Sequence, residues 1–262
     1  MGELLGIDIS HHNGKIDWQK VSKVGKKFAI LKCQYEAQSH RIDETFEYNY
    51  AESGKYGLAR GAYIFIASAS MAAPEEDARS LLNHLKGRKL EYGIWLDLEA
   101  NVVRAKGKAY IRGLVNIYVS IFRAAGYYVG IYCNRDWYMN VMHDDLKANY
   151  DFWIARYPKN DSGTYNPNSS LKPSPKMAVA WQYSSKGHVN GISGNVDLDV
   201  DYDGVINLAR PDRKTNAQIA AEVLQGKWGT AKSKPTRKQL LTAAGYDYKA
   251  IQYIVNKNLL GK

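Results

Sequence analysis

Eight short apolar runs punctuate residues 4–200, and stretches of helical periodicity separate the first five of them. Runs this short are strands rather than helices, and their spacing constrains the fold more than any other feature of the chain. The predicted strands are Leu4–Ile9, Phe28–Cys33, Gly61–Ala67, Gly93–Leu98, Tyr128–Cys133, Phe152–Ala155, Ala178–Tyr183 and Val196–Val200. Predicted helices cover Asp17–Val24, Asp43–Lys55, Pro74–Leu85 and Ala109–Ala124. The last is the clearest: Ile111, Leu114, Val115, Tyr118 and Phe122 follow helical spacing, and Gly126 supplies a stop. Strands alternating with helices predict an α/β fold with a parallel sheet, and eight strands suit a barrel. The helical pattern fails between the later strands, and residues 157–175, rich in Pro, Ser, Asn and Gly, read as a long loop. The expectation is therefore a distorted (β/α) barrel of about eight strands with a helix-poor C-terminal part.

The texture changes near Leu208. Ala209-Arg-Pro-Asp-Arg-Lys214 has the composition of a linker, and Thr215 can cap a helix carrying Ile219, Val223 and Leu224 that stops at Gly226. Further helical stretches cover Thr236–Ala244 and Tyr248–Leu260. The predicted division is a large domain over 1–208, a linker over 209–214 and a small three-helix bundle over 215–262.

The 262 residues, 45% of them apolar, are enough for a large buried core. Cys33 and Cys133 both sit inside apolar runs; they form neither a disulfide framework nor a metal-ligand spacing, and are expected to be buried free thiols. The N-terminus has no basic region followed by an apolar stretch, and no run approaches the roughly 18 apolar residues of a membrane span. Synthesis in a cytoplasm without a signal peptide, and no membrane insertion, are the expectations.

Formal net charge is +10, which favours anionic partners: nucleic acid, anionic lipid, or a bacterial wall with its phosphates and carboxylates. Residues 211–262 hold ten Lys and Arg against three Asp and Glu, so most of the excess lies in the tail. No nucleic-acid-binding motif is present, so no nucleic-acid partner is expected. Twenty Tyr and six Trp offer flat faces suited to sugar rings, although Tyr is also common in strands and cores.

Four carboxylates stand at predicted strand ends. Asp8 ends the first strand, Asp97 and Glu99 end Gly-Ile-Trp-Leu-Asp-Leu-Glu, and Asp197 lies in Asn-Val-Asp-Leu-Asp-Val-Asp. Residues i and i+2 of a strand point to one face, so Asp97 and Glu99 project side by side. Catalytic groups of parallel barrels sit at the C-terminal ends of strands. Two carboxylates this close do not both ionise readily, which leaves a protonated acid beside an ionised partner, as glycosidic cleavage requires. The bland alternative is a solvated acidic face. The run from Asp199 to Asp203 lacks the Glu of a calcium loop, with Arg210 in its place; its alternation with apolar residues predicts a strand with one polar face. His11 and His12 make no zinc motif, and no phosphate loop or nucleophile elbow occurs. No metal or cofactor is implied.

Taken in order, the motifs resemble the Chalaropsis-type lysozymes, glycoside hydrolase family 25. Gly6-Ile-Asp-Ile-Ser10, Gly61-Ala-Tyr-Ile-Phe65, Leu96-Asp-Leu-Glu99, Phe152-Trp-Ile-Ala155, Trp181-Gln-Tyr183 and Val196-Asp-Leu-Asp199 resemble successive motifs of that family. The resemblance covers about residues 3–208. It implies hydrolysis of the β-1,4 bond between N-acetylmuramic acid and N-acetylglucosamine in bacterial peptidoglycan. It also implies Glu99 as general acid/base, Asp97 as an ionised neighbour, and Asp97 or Asp197 holding the sugar's 2-acetamido group. Asp8 supports the network, while Tyr35, Tyr63, Tyr132 and Trp181 line the groove. Two positions depart from the family pattern: Cys33-Gln-Tyr-Glu-Ala37 stands where Thr-Glu-Gly often follows the second strand, and Ile64 where His is frequent.

The tail resembles the choline-independent cell-wall repeat of a pneumococcal phage lysozyme, through Ile219-Ala-Ala-Glu-Val-Leu-Gln-Gly-Lys-Trp-Gly229 and Leu241-Thr-Ala-Ala-Gly-Tyr-Asp-Tyr248. That resemblance implies Arg237 and Tyr246 as ligand contacts, with Trp228 read as core. A single copy implies weak binding, because tandem copies gain through effective concentration. The expected absence of a signal peptide, together with a wall-binding tail, favours a phage endolysin. The rival readings are a non-catalytic wall-binding protein, against which Glu99 counts, and a chitinase-like glycosidase, whose longer acidic run would need an Asp where Trp95 stands.

Overall fold

The computed structural model describes residues 3–34, 40–67, 74–202, 214, 216–243, 246 and 248–260. The chain forms two compact units, one of residues 1–143 with 150–211 and one of residues 144–149 with 212–262. The expected linker and domain boundary fall almost wholly outside the described residues.

The first unit is built on a closed eight-stranded barrel with strands in sequence order. They are β1 (Leu4–Ile9), β2 (Phe28–Gln34), β3 (Ala59–Phe65), β4 (Ile94–Asp97), β5 (Val129–Asn134), β6 (Phe152–Ala155), β7 (Ala180–Gly187) and β8 (Val196–Asp201). Each lies within a few residues of its predicted position. Neighbours from β1 to β7 pair in parallel, but β8 runs antiparallel to both β7 and β1. The expectation of a parallel sheet fails at this one strand. Only residues 188–195 join β7 to β8. A parallel crossover needs a dozen or more residues, so the chain has to reverse there.

Helices α1 (Trp18–Val21), α2 (Phe46–Lys55), α3 (Pro74–Leu85), α4 (Asn101–Arg104) and α5 (Gly107–Ala124) occupy the first four crossovers. A π-helical turn at Trp137–Val141 and the short α6 (Asp144–Asn149) precede β6. The long α5 buries Ile111, Leu114, Val115, Tyr118, Val119 and Phe122, the stripe its periodicity predicts. Beneath it lies a polar contact with no sequence signature: buried Asp77 accepts hydrogen bonds from Gln34 Nε2 at 2.7 Å and Tyr118 Oη at 2.7 Å. Both cysteines are buried, and neither is in a disulfide.

Large rings fill the barrel interior: Phe28, Tyr92, Trp95, Tyr132 and Trp153 pack with Ile30, Ala155 and Ala180. Glycine on neighbouring strands makes room for them. A Cβ on Gly6 would lie 2.2 Å from the Phe28 ring, and one on Gly130 2.4 Å from Trp95. The interior is thus a packed plug, and chemistry is confined to its upper end.

In the second unit α7 (Asn216–Leu224), α8 (Arg237–Ala243) and α9 (Tyr248–Leu260) share a core of Ile219, Ala220, Val223, Leu241, Ile251 and Val255. Among the described residues no helix is long and apolar enough to cross a membrane.

Candidate active site

Strand alternation brings acids from three strands to one mouth. Asp8 near the end of β1 is the cross-strand partner of Asp197 on the antiparallel β8. Asp97 closes β4, paired with Phe65 of β3 and Tyr132 of β5. Asp8 and Asp97 are each only 6% exposed, whereas Glu99, two residues beyond Asp97, is exposed on the rim. The reversal of β8 matters here: its polar face sends Asp197, Asp199 and Asp201 down the interior, beginning at the mouth.

A hydrogen-bonded chain fixes this end of the barrel. Trp153 Nε1 donates to Asp199 Oδ1 at 2.9 Å, while Asp199 Oδ2 is buried without a hydrogen-bond partner. Gln182 Nε2 donates to Asp8 Oδ2 at 2.6 Å. Gln182 Oε1 in turn accepts from the phenols of Tyr132, at 2.7 Å, and Tyr157. Two hydroxyl donors on one amide oxygen leave the amide nitrogen facing Asp8, so the phenols set the orientation of Gln182. Asp97 Oδ1, at the mouth itself, is likewise buried without a hydrogen-bond partner. An unmet buried acceptor at a mouth is a seat for a donor arriving with a ligand.

The electrostatics follow from burial and crowding. Burial, then the Glu99 carboxylate, pushes Asp97 well above the ordinary aspartate range, with Lys32 opposing. Partial desolvation raises Glu99 as well, again opposed by Lys32. Burial followed by Glu99 and Asp161 lifts Asp197 to about 6, and burial followed by Asp197 lifts Asp199 to about 8. Burial, then Asp197 and Asp199, raises Asp8 strongly. The expected division has Asp97 ionised and Glu99 protonated; burial favours the reverse. Asp97 is the more deeply buried, so it has the stronger claim on a shared proton.

Residues 7–192 match the glycosyl hydrolases family 25, which is most of the chain. The chain belongs to family 25. Residues 217–259 match the CW_7 repeat. Lysozyme M1 of Streptomyces globisporus is 29% identical over 202 residues, 73% of this chain and 65% of its own length. This chain thus spans just under two thirds of that relative. The bacterial lysozyme of Streptomyces coelicolor superposes with a TM-score of 0.63 at 26% identity, covering 80% of this chain and 97% of that one. The CTP1L endolysin superposes with a TM-score of 0.61 at 25% identity, covering 87% and 79%.

Within this family 25 barrel the residues singled out from sequence separate into three groups. Asp8, Asp97, Glu99, Asp197, Tyr63 and Tyr132 meet at the mouth; Tyr63 is raised by burial and by Asp8 and Asp97, which keeps its phenol protonated. Trp181 does not line the groove. Its strand neighbours Ala180 and Gln182 face inward, so alternation turns Trp181 outward. There it is 2% exposed, donates Nε1 to the Arg156 carbonyl at 2.9 Å, and packs near Tyr165 and Tyr183. Tyr35 and Glu36 lie outside the described residues. Gln182, Tyr157 and Lys32 carry no sequence signal of their own, and strand parity on β2 and β7 could have pointed to two of them; Asp199 belongs to the polar face that alternation marks on β8. Among the described residues no cluster of His, Cys, Asp and Glu is arranged to hold a metal ion.

In the C-terminal unit Arg237 spends its guanidinium on the Gly229 carbonyl, at 3.0 and 3.1 Å, and on Gln252 Oε1 at 3.1 Å. Tyr246 is half-buried, its ring 5.8 Å from Trp228. Trp228 packs on the bundle core and donates Nε1 to Glu222 at 2.9 Å. All three therefore have structural roles, as read from sequence for Trp228.

Proposed function

We propose that the protein is a muramidase that hydrolyses the β-1,4 bond between N-acetylmuramic acid and N-acetylglucosamine. The observation that carries this reading is the pairing of an exposed acid, Glu99, with a buried Asp97 whose Oδ1 has no partner, at the mouth of a family 25 barrel. A sugar 2-acetamido N–H donating to Asp97 Oδ1 stabilises that carboxylate and displaces the shared proton to Glu99. Substrate thus arms the acid. Glu99 protonates the leaving oxygen while the acetamido oxygen attacks the anomeric carbon; the Glu99 carboxylate then activates the water that opens the cyclic intermediate. Asp97, rather than the half-buried Asp197, is assigned to the acetamido group because its acceptor is the unmet one.

The C-terminal unit is assigned to wall attachment, with Arg237 and Tyr246 as contacts at the bundle surface and its positive charge adding attraction to anionic wall polymers. Likeness to the CTP1L endolysin supports a phage endolysin, made in the host cytoplasm and acting on the wall after release.

The test is clearing of purified bacterial walls by wild type and Glu99→Gln, with analysis of the new sugar ends. Wild type is expected to clear and leave N-acetylmuramic acid reducing ends, and Glu99→Gln to lose about a hundredfold or more. Equal clearing by both would sink the assignment of Glu99. Binding without clearing by wild type would leave a wall-binding protein.

A further inference from the structure

Lys32 brings an ammonium to a mouth that gathers several acids and phenols. Its strand position is interior, two residues beyond Ile30, which packs in the barrel plug. It is the register partner of Tyr63, and Phe65 on the same face of β3 is the register partner of Asp97. Its Nζ lies 5.9 Å from the Tyr63 ring and 5.6 Å from the Phe65 ring. Immediately after it the β2–β3 register slips between Lys32 and Gln34. Irregularities of this kind re-aim side chains beside active sites. An ammonium in a half-buried position is costly unless negative charge compensates it. The Asp97–Glu99 pair holding one proton carries a single negative charge, the amount one ammonium balances.

We propose that Lys32 is a positioning residue for the cleavage reaction, an ammonium braced on Tyr63 and Phe65 that keeps one member of the Asp97–Glu99 pair ionised. It touches neither the scissile bond nor the leaving group in this role. The inference rests on the muramidase reading. Phe65, on which the ammonium lies, is the register partner of Asp97, and the Lys32 charge opposes protonation of both carboxyls. Among the described residues the other ionisable groups at this mouth are Asp8 on β1, Tyr63 on β3, Tyr132 on β5, Tyr157 after β6, and Asp197 and Asp199 on β8. All of these described groups are acids or phenols, so none of them substitutes for the ammonium.

The experiment is the pH dependence of kcat/KM on soluble muropeptide for wild type, Lys32→Met, Lys32→Gln and Lys32→Arg. Met keeps an unbranched stem against the two rings, and Gln is a second neutral replacement. Both neutral variants are expected to move both limbs of the profile to higher pH by about one unit, because each carboxyl then holds its proton longer. Lys32→Arg is expected to retain the wild-type limbs. A uniform loss of rate with unmoved limbs in either folded neutral variant would overturn the inference and leave Lys32 a packing residue. So would a shift in Lys32→Arg as large as in Lys32→Met. Wild-type cleavage with such results refutes this inference alone; no wild-type cleavage refutes the muramidase reading and this inference together.

Discussion

Gly130→Ala tests whether the plug beneath the mouth is as tight as its glycines imply. The added Cβ would lie 2.4 Å from Trp95 Cζ3, 2.7 Å from Cε3 and 2.9 Å from Cη2. Ordinary carbon contact begins near 3.5 Å, so the indole or β5 has to move by about 1 Å. Trp95 has little freedom to yield. It is fully buried, its Nε1 donates to the Tyr92 carbonyl at 2.9 Å, and the rings of Trp153, Tyr128 and Tyr92 surround it at 5.8, 5.9 and 6.0 Å. Overpacking of this kind costs about 1–3 kcal/mol. The loss of glycine freedom in the unfolded chain returns about 0.4–1 kcal/mol. A net loss of about 1–2 kcal/mol lowers the thermal midpoint of a domain this size by roughly 2–8 °C. Thermal unfolding followed by circular dichroism reads this directly. Trp95→Leu/Gly130→Ala supplies the control: leucine vacates the space, so the double variant is expected to lose less than the two single losses combined. A Gly130→Ala midpoint unchanged within about 0.5 kcal/mol, or strict additivity in the double variant, would refute the reasoning.

Two further outcomes follow from the acids and their supports. Asp199 has a folded pKa of about 8 against an ordinary 3.8, so the folded state binds more protons than the unfolded one between these values. Its contribution is full below pH 3.8 and is lost as pH rises to 8. The thermal midpoint is therefore expected to fall between pH 5 and 9, less steeply in Asp199→Asn; a flat wild-type profile over that range would contradict the burial of this charge. Tyr132→Phe and Tyr157→Phe each leave one phenol on Gln182, and single variants are expected to stay within about threefold of wild-type kcat/KM. The double variant frees the amide to turn away from Asp8 and is expected to lose at least about tenfold, so a merely multiplicative loss would argue against Gln182 as the coupling element.

The strands were legible because each is a short apolar run bounded by turn residues, and α5 because its buried stripe repeats at helical spacing. Pairing of Asp97 with Glu99, and the polar face of β8, followed from the two-residue period of a strand. That same period, applied to β7, would have turned Trp181 away from the groove and Gln182 into it; the carry-over from the family resemblance pointed the other way for Trp181. Tyr157 was not legible, and Lys32 only through its parity with Ile30 on β2. A lysine in an apolar run and a tyrosine in a polar loop carry no local mark of what they face.

What the sequence determined by itself is what local periodicity and chain length encode: a barrel of about eight strands, a helix-poor second half, a separate helical tail, and acids at strand ends. Tertiary structure alone decided which acids share protons, because that depends on burial and on neighbours far apart in the chain. Asp8 meets Asp197 and Asp199 only through the closure of β1 on an antiparallel β8. Asp97 acquires its unmet oxygen, and Glu99 its exposure, from the depth of each in the mouth. Proximity in sequence placed the pair together, and desolvation in the closed barrel made its two members chemically different.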